Sequence, residues 1–363
     1  MPTTFGIEEE FVILDPTTLT AVDCAPAFTE VVPSGGTVAH EFFRSQIEFA
    51  SPVFTDAGDA LDSLRDFRRR LGDWAAGAGL VAAGTGTPFR TAPNARISAG
   101  DRYAHIAADV AGVTPEHQIN GLHVHVGIPD RDAGVRASNA LRPWLPTLLA
   151  MSADSPFWHG ADSGFDSWRA IHSRRWTTYG IPPVFHDADH YDDTIAALTD
   201  IGATTDPGTI NWNVRLSETY PTVEVRVCDA QLDPSSAVAL ALIIRALVER
   251  ATEPRPSAPP EVMDAALWHA ARHGVATTLV HPYTSGLLPA GDILRLLQEL
   301  IRPESMTGLE RHCIRGLFAR LAAGESGAAA QRRAALRGEG ALATLYRDSL
   351  IAAPEAYSLV RRP

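Results

Sequence analysis

Ionisable side chains occupy alternate positions within three apolar stretches of this chain. These pairs are Glu8 and Glu10, His123 and His125, and Glu224 and Arg226. Successive side chains of a β-strand point to opposite faces, so the members of each pair share one face and their apolar neighbours share the other. A core built on the polar face would bury unpaired charges, which is strongly unfavourable. The pattern therefore predicts a sheet that packs one face on a core and lines a polar cavity with the other.

Carboxylates dominate the polar face that this pattern predicts. Glu8 and Glu10 repel each other unless cations lie between them, and hard divalent ions prefer oxygen ligands. Glu48 lies in a second apolar stretch, QIEFA, and Glu41 precedes it. Taken alone, each of these carboxylates also fits a solvated strand face. The metal interpretation therefore depends on the residues acting together.

His123 and His125 add imidazole groups to the same predicted face. Imidazole is a common metal ligand, and an H-x-H pair on a strand is a recurrent ligand arrangement. The neighbouring sequence lacks the third His or Cys of a zinc signature. On spacing alone, a structural role for the pair stays equally open.

Glu224 and Arg226 suit a phosphate site, where the carboxylate holds a metal ion and the guanidinium binds phosphate oxygens. A plain ion pair on the strand face is the alternative. The chain has no Walker A motif, because the glycine-rich segment at Gly84 lacks the lysine and the following helix. If the chain binds ATP, carboxylate-held Mg²⁺ ions and arginine side chains must hold the phosphates.

The strand patterns cluster in the first 250 residues, and helical patterns fill the rest. Strands are predicted over residues 4–14, 42–50, 80–83 and 118–128, and a hairpin is predicted over 211–229. Helices are predicted over residues 59–76, 135–151, 234–249, 262–273, 292–300, 309–323, 328–335 and 342–352. Strands grouped ahead of helices predict an α+β fold with a largely antiparallel sheet.

We expect residues 1–363 to form a single catalytic domain. Its sheet-rich catalytic core spans residues 1–252, and a C-terminal helical layer spans residues 262–363. The proline-rich segment 253–261, EPRPSAPPE, reads as the linker between these parts.

Charge and composition limit the classes of binding partner and the cellular compartment that we expect. The formal net charge is −12 and no long basic run occurs, which argues against nucleic acid or an anionic membrane as the main partner. The apolar run 237–247 is too short to span a bilayer and contains Arg245. The strand pattern begins almost at the N-terminus, so no signal peptide is predicted. Three scattered cysteines fit a reducing, cytoplasmic location.

Assembled in order, these segments resemble the bacterial carboxylate–amine ligases of glutamate–cysteine ligase type two. The matching segments are GIEEEF, QIEFASP, GLHVHVG, LPTLLAMSADSPFW, NWNVRL, TVEVRVCDAQ and AARHG. Together they cover roughly residues 5–275. The resemblance implies a curved, largely antiparallel sheet with helices on its convex face, as in the glutamine synthetase and guanidino kinase fold group.

The resemblance also implies roles for individual residues. The implied metal ligands are Glu8, Glu10, Glu41, Glu48, His123 and Glu224. Glu224 and Arg226 are the implied catalytic residues, and Arg226 and Arg215 are expected to contact ATP. Arg169 and His125 are expected to contact the substrate.

The function implied is an ATP-dependent ligase that forms an amide bond. Two or three Mg²⁺ ions, for which Mn²⁺ can substitute, would assist transfer of the γ-phosphate to a glutamate-like carboxylate, and an amine would attack the resulting acyl phosphate. The partners are therefore small amino acids and amines, with a homo-oligomer left open. The alternatives are a metal-dependent hydrolase using His123 and His125, a non-catalytic binding relative, and a phosphotransferase that stops at the phosphorylated substrate.

Overall fold

A seven-stranded antiparallel sheet organises the part of the chain that the computed structural model describes, which is residues 3–25, 30–251 and 258–351. The strands are β1 (Phe5–Leu14), β2 (Thr37–His40), β3 (Gln46–Ala50), β4 (Val81–Ala83), β5 (Gly121–Gly127), β6 (Phe157–Trp158), β7 (Ala161–Asp162), β8 (Val214–Leu216), β9 (Thr222–Asp229), β10 (Thr278–Val280) and β11 (Leu287–Pro289). The order across the main sheet is β2-β3-β1-β5-β9-β8, and β4 also pairs with β1. The pairs β6–β7 and β10–β11 form separate two-stranded ribbons.

Helices cover one face of this sheet and form the C-terminal part of the fold. They are α1 (Ala57–Gly77), α2 (Asp101–Val110), α3 (Arg131–Leu141), α4 (Leu145–Ser152), α5 (Trp168–Ser173), α6 (Ala188–Asp200), α7 (Pro234–Glu249), α8 (Pro260–His273), α9 (Ala290–Ile301), α10 (Gly308–Ala322), α11 (Gly327–Ala335) and α12 (Glu339–Ile351). Among the described residues, no helix has both the length and the apolar character needed to cross a bilayer.

The hydrophobic core lies between the sheet and this helical layer. Leu122, Val124 and Val126 of β5 are buried in one cluster with side chains from α4 and α7. The apolar helix α7 is buried along nearly its whole length. Ile293 of α9 and Ile314 of α10 belong to the same cluster, so C-terminal helices complete the core behind the sheet.

Several local predictions are confirmed because their signals are short-range. Strand β1 and the β8–β9 hairpin occur where alternation predicts them. The helices predicted over 59–76 and 234–249 are present as α1 and α7, and Asp56 and Asp233 cap them by each accepting hydrogen bonds from two backbone N–H groups. The five predicted C-terminal helices are present as α8 to α12, although residue 352 lies outside the described residues.

Other elements differ from the sequence prediction for identifiable reasons. The strand predicted over 42–50 is limited to Gln46–Ala50, because the side-chain oxygen of Gln46 accepts a hydrogen bond from the backbone of Phe43 and turns the chain there. The helix predicted over 135–151 is split into α3 and α4 by a 3₁₀ turn that contains Pro143. Strand β2 and helices α2 and α6 were not predicted. Most of the predicted linker, residues 253–257, lies outside the described residues.

Candidate active site

Five adjacent strands place eight of the ten predicted residues on the face of the sheet opposite the core, whereas Glu41 lies between β2 and β3 and Arg169 lies on α5. The cross-strand partners are Glu10 and Glu48, Glu8 and His123, His125 and Glu224, and Arg215 and Glu224. Glu9 points the other way, where its carboxylate pairs with the buried guanidinium of Arg68. Alternation along β1 therefore separates a structural ion pair beneath the sheet from two carboxylates above it.

Glu8, His123 and Glu224 form the first group of candidate metal ligands. One ligand atom of each lies within 4.8 Å of those of the other two. His123 Nδ1 is 3.3 Å from Glu8 Oε2 and 3.9 Å from Glu224 Oε1. Two carboxylates and one imidazole at this spacing fit a single divalent cation between them.

Glu10, Glu41 and Glu48 form the second group, again with ligand oxygens within 4.8 Å of one another. The backbone N–H of Gly121 donates to Glu10 Oε2 at 2.6 Å and fixes that carboxylate. His123 Nε2 lies 3.8 Å from Glu10 Oε1, so this imidazole stands between the two groups. An all-oxygen ligand set of this kind suits Mg²⁺.

The second group carries raised pKa values because its carboxylates are crowded together and withdrawn from water, with Glu10 buried and Glu41 and Glu48 half-buried. Burial raises the pKa of Glu10 to about 7, and the charge of Glu41 adds to the shift. Burial, followed by the charges of Glu41, Glu8 and Glu10, raises the pKa of Glu48 well above its usual range. Burial also raises the pKa of Glu41. A cation bound here would replace protons that the carboxylates otherwise retain.

Glu224 behaves differently because two arginines flank it. Burial alone would raise the pKa of Glu224, but Arg226 and Arg215 together hold it well below its usual range. Arg226 hydrogen-bonds Glu224 Oε1, and Arg215 Nε donates to Glu224 Oε2 at 2.7 Å. Arg226 Nη1 also lies 3.4 Å from His123 Nδ1. Glu224 therefore stays ionised while it anchors two guanidinium groups beside the first ligand group.

His125 is tied to the first group through Glu8. Its Nε2 lies 3.2 Å from Glu8 Oε1, and its Nδ1 lies 2.9 Å from the hydroxyl of Thr222. Burial opposes the charged form of His125, but the hydrogen bond to Glu8 and the charge of Glu224 raise its pKa overall. Burial would raise the pKa of Glu8, yet hydrogen bonds to His123 and His125 lower it well below its usual range.

A cavity of about 300 Å³ opens above the second ligand group. The predicted site residues that line it are Glu10, Glu41, Glu48, His123, Arg169 and Arg226. The other four predicted residues, Glu8, His125, Arg215 and Glu224, do not line this cavity and lie in the adjoining group around the first ligand set. His123 and Arg226 belong to both parts and join them.

Arg169 reaches the cavity from helix α5 and lies against the sheet. Its guanidinium donates to the carbonyl oxygen of Arg226 at 3.2 Å and to that of Val227 at 3.4 Å. Its buried Nε has no hydrogen-bond partner among the described residues. A Cβ at Gly121 would lie 2.5 Å from Arg169 Nη2 and 2.9 Å from His123 Nε2, so glycine is required for this close approach. The arginine therefore retains donor capacity toward the cavity.

The aromatic wall of the cavity was not predicted from sequence. It consists of Phe42, Tyr103, His117, Trp176 and Tyr179. Trp176 donates its indole N–H to the ring of His117 at 3.0 Å, and burial together with the charge of Arg175 lowers the pKa of His117 to about 3. These residues lie on α2 and on irregular segments, where alternation gives no signal. The position of Trp176 and Tyr179 soon after Arg169 is the clue that could have identified them.

Comparison with known proteins identifies the family of the chain. The family model described as glutamate–cysteine ligase family 2 matches residues 4–348. The chain belongs to glutamate–cysteine ligase family 2. The predicted family resemblance is therefore confirmed across nearly the whole chain.

Relatives and solved structures support the same family and fold. A Mycolicibacterium smegmatis protein with the provisional name glutamate–cysteine ligase 2-3 is 37% identical over 341 residues, which is 91% of this chain and 93% of the relative. A Nocardia farcinica protein with the provisional name glutamate–cysteine ligase 2-1 is 36% identical over 339 residues, covering 91% and 88%.

Two solved structures share the fold at low sequence identity. The Francisella tularensis glutamate–cysteine ligase, solved in complex with AMP, gives a TM-score of 0.76 at 11% identity over 99% of this chain and 91% of that one. The bifunctional glutathione synthetase from Pasteurella multocida gives 0.71 at 13% identity over 99% and 53%. These similarities confirm the predicted α+β fold class.

Proposed function

We propose that this protein is an ATP-dependent carboxylate–amine ligase that activates a glutamate-like carboxylate and joins it to an amine. Membership of glutamate–cysteine ligase family 2 supports this activity. The observation that carries the proposal is the convergence of two candidate metal-ligand groups and Arg226 above one sheet face. A nucleotide site built from carboxylates and arginines explains why the chain needs no glycine-rich phosphate loop.

The proposed reaction has two steps. A carboxylate oxygen of the acid substrate attacks the γ-phosphorus of ATP, the bond to the β-phosphate oxygen breaks, and ADP and an acyl phosphate form. The amine nitrogen then attacks the carbonyl carbon, inorganic phosphate leaves, and the nitrogen loses a proton. No covalent enzyme intermediate is needed, so the protein acts by positioning and by charge stabilisation.

The two carboxylate-rich groups would hold divalent cations. Glu8, His123 and Glu224 would hold one, and Glu10, Glu41 and Glu48 would hold a second. Bound Mg²⁺ supplies charge neutralisation at the phosphate oxygens. We propose two or three Mg²⁺ ions, with Mn²⁺ able to substitute, because both ions accept carboxylate ligands.

Different arginines would bind ATP and the acid substrate. Arg226 is held beside Glu224 and lines the cavity, so it would bind the transferring phosphate, and Arg215 would assist from the neighbouring strand. Arg169 would bind the substrate carboxylate through its unpaired donors. His125, whose Nδ1 hydrogen-bonds the hydroxyl of Thr222, would contact the substrate from the adjoining group around Glu8.

We also propose that the protein is a cytoplasmic enzyme with small-molecule partners and that residues 1–363 form one catalytic domain. A metal-dependent hydrolase is not favoured, because the two ligand groups together contain one imidazole and five carboxylates among the described residues. Such a set suits hard cations better than the transition metals that hydrolases of this type use.

A phosphate-release assay tests the proposal. Purified protein is given ATP, MgCl₂ and a matrix of acids and amines that includes L-glutamate with L-cysteine, and the amide product is identified by mass spectrometry. We expect Arg226→Ala and Glu224→Gln to reduce turnover at least about 100-fold, because charge on the transferring phosphate loses its partners. The control is Glu325→Gln, a surface carboxylate far from the ligand groups. Wild-type turnover in both site variants would refute the assignment.

A further inference from the structure

Residues 155–167 form a loop that leads directly into helix α5 and Arg169. The base of this loop is tied to the buried carboxylate of Asp229. Ser155 Oγ donates to Asp229 Oδ2 at 2.6 Å, and Ser167 Oγ donates to Asp229 Oδ1 at 2.8 Å. The backbone N–H of Asp154 donates to the same carboxylate at 2.9 Å. Asp229 thus holds the two ends of the loop together.

The same two serines fix the start of the helix that carries Arg169. Ser155 Oγ accepts a hydrogen bond from the backbone N–H of Arg169 at 3.1 Å. Ser167 is the N-cap of α5 and accepts from the backbone N–H of Ala170 at 3.2 Å. The position of the Arg169 backbone therefore depends on Asp229 through both serines.

Helix α11 contacts the loop through the side chain of Arg332. Arg332 Nε donates to Asp162 Oδ2 at 2.8 Å, its Nη2 donates to the carbonyl oxygen of Phe165 at 2.8 Å, and its Nη1 bonds the carboxylate of Asp166. These three contacts from one guanidinium hold residues 162–166, the C-terminal half of the loop.

Helix α8 holds the same loop at other points. Arg272 donates to the carbonyl oxygen of Gly164, and the backbone N–H groups of Asp166 and Ser167 donate to the carbonyl oxygen of Ala271.

A second contact from α11 reaches the base of the loop. Gln331 is buried, and its Nε2 donates to Asp154 Oδ1 at 2.7 Å and to the carbonyl oxygen of Asp154 at 2.9 Å. Tyr346 of α12 donates its hydroxyl to Gln331 Oε1 at 2.9 Å and orients the amide. A Cβ at Gly327 would overlap the Asp154 carboxylate, so α11 approaches this residue as closely as glycine allows.

We propose that α11 clamps the 155–167 loop, and that Asp229, Gln331 and Arg332 are positioning residues that hold Arg169 at the cavity. This inference rests on the proposed function, in which Arg169 binds the substrate carboxylate. The guanidinium of Arg169 has only long hydrogen bonds of its own to the sheet, at 3.2 and 3.4 Å. Asp229 also pairs with it directly, with Arg169 Nη1 3.9 Å from Asp229 Oδ1. Its placement therefore depends on Asp229 and on the loop that the clamp holds, and a misplacement of about 1 Å can reduce a rate on the order of 100-fold.

Hydrogen–deuterium exchange tests the clamp without requiring any activity. We compare the wild type with Arg332→Gln and with Arg333→Gln, a matched control in which the neighbouring, exposed arginine of the same helix is changed. In Arg332→Gln, we expect peptides covering residues 155–173 to exchange at least about tenfold faster, because local opening loses three restraints. Peptides from β1 and β5 should not change, and Arg333→Gln should match the wild type throughout.

Steady-state kinetics tests the positioning role. With L-glutamate as the acid substrate, we expect Arg332→Gln and Asp229→Asn to raise KM for L-glutamate about 5–10-fold and to leave KM for ATP within about twofold. Arg332→Lys should recover part of the loss. A purely structural defect would reduce the active fraction and lower kcat, with KM for both substrates unchanged.

The two measurements separate the possible failures. Exchange over residues 155–173 that is equal in Arg332→Gln and Arg333→Gln overturns the clamp. Faster exchange with an unchanged KM for L-glutamate overturns the positioning of Arg169. Absence of turnover in the wild type overturns the proposed function, and the exchange comparison still decides the clamp.

Discussion

The carboxylates of Glu10, Glu41 and Glu48 provide a direct test of the second ligand group, because their crowding destabilises the protein when no cation is bound. We consider Glu48→Gln, which removes one charge and keeps the side-chain shape. The oxygens lie within 4.8 Å of one another, a separation at which two full charges repel by about 3 kcal/mol at an effective dielectric constant of about 20.

Protonation reduces that repulsion but does not remove its effect on stability. The pKa of Glu48 is raised in the folded protein, so above its ordinary pKa the unfolded chain releases a proton that the folded chain retains. Stability therefore falls as pH rises above the unfolded value, and Glu48→Gln abolishes this loss. We expect metal-free Glu48→Gln to be more stable than the wild type by about 1–3 kcal/mol at pH 8. That difference corresponds to a rise in Tm of about 1–4 °C for a chain of 363 residues.

Divalent cations should reduce the stability difference between the two proteins. Binding at tenfold excess over Kd stabilises the folded state by about 1.4 kcal/mol per site. Glu48→Gln retains the first ligand group, so we expect MgCl₂ to raise the Tm of both proteins and to raise that of the wild type more. Differential scanning fluorimetry at pH 8, with EDTA or MgCl₂, measures both effects, and Glu325→Gln controls for the loss of a surface charge.

Two outcomes would refute the electrostatic reasoning. The first is a metal-free Glu48→Gln variant that is less stable than the wild type at pH 8, since crowding would then not be destabilising. The second is an equal rise in Tm with MgCl₂ in the wild type and Glu48→Gln. The gain in metal-free stability should also shrink at pH 5, where the unfolded chain retains more of its protons.

The remaining predictions concern pH dependence, substrate binding and a helix cap. The pKa of His117 is lowered to about 3 in the folded protein, against 6.5 for the free side chain, so the folded state loses stability as pH falls below 6.5. In urea titrations, the free energy of unfolding of the wild type should fall between pH 7 and pH 5 by about 1–2 kcal/mol more than that of His117→Gln. Parallel losses would contradict the shift. Arg169→Lys should raise KM for L-glutamate about tenfold or more in the phosphate-release assay, because a single ammonium cannot replace a guanidinium fork; an unchanged KM would exclude its contact with substrate. Asp56→Ala should lower the free energy of unfolding by about 1 kcal/mol in urea, and no change would mean that water replaces the cap.

The sequence best predicted which face of a strand each side chain occupies. Alternation in β1 assigns Glu8 and Glu10 to one face and Glu9 to the other, and the structure agrees. The same rule does not give the register between β1 and β3, which sets Glu10 opposite Glu48. That pairing depends on contacts between segments distant in sequence.

The missed helices carry apolar positions at helical spacing, but in short segments. Helix α2 spans ten residues with Tyr103, Ile106 and Val110 on one side, none of its residues is buried, and it contributes Tyr103 to the cavity. Part of the cavity wall is built from α2 and from irregular segments that carry Trp176 and Tyr179.

Alternation predicts only the strand residues of the candidate site, because loop geometry is decided by tertiary contacts. Glu41 and Arg169 lie outside the strands and were expected from the family resemblance.

The location of His123 between the two ligand groups has a consequence for metal loading. A neutral imidazole has one lone pair available for a cation and one N–H, so it cannot coordinate two ions at once. If Nδ1 coordinates a cation with Glu8 and Glu224, Nε2 must carry the proton and face Glu10 Oε1 at 3.8 Å. The ion beside Glu10 then depends on oxygen donors alone. Binding of a cation by the first ligand group would therefore fix the tautomer of His123 beside the second ligand group. The two ions should differ in affinity, and they should bind in a defined order.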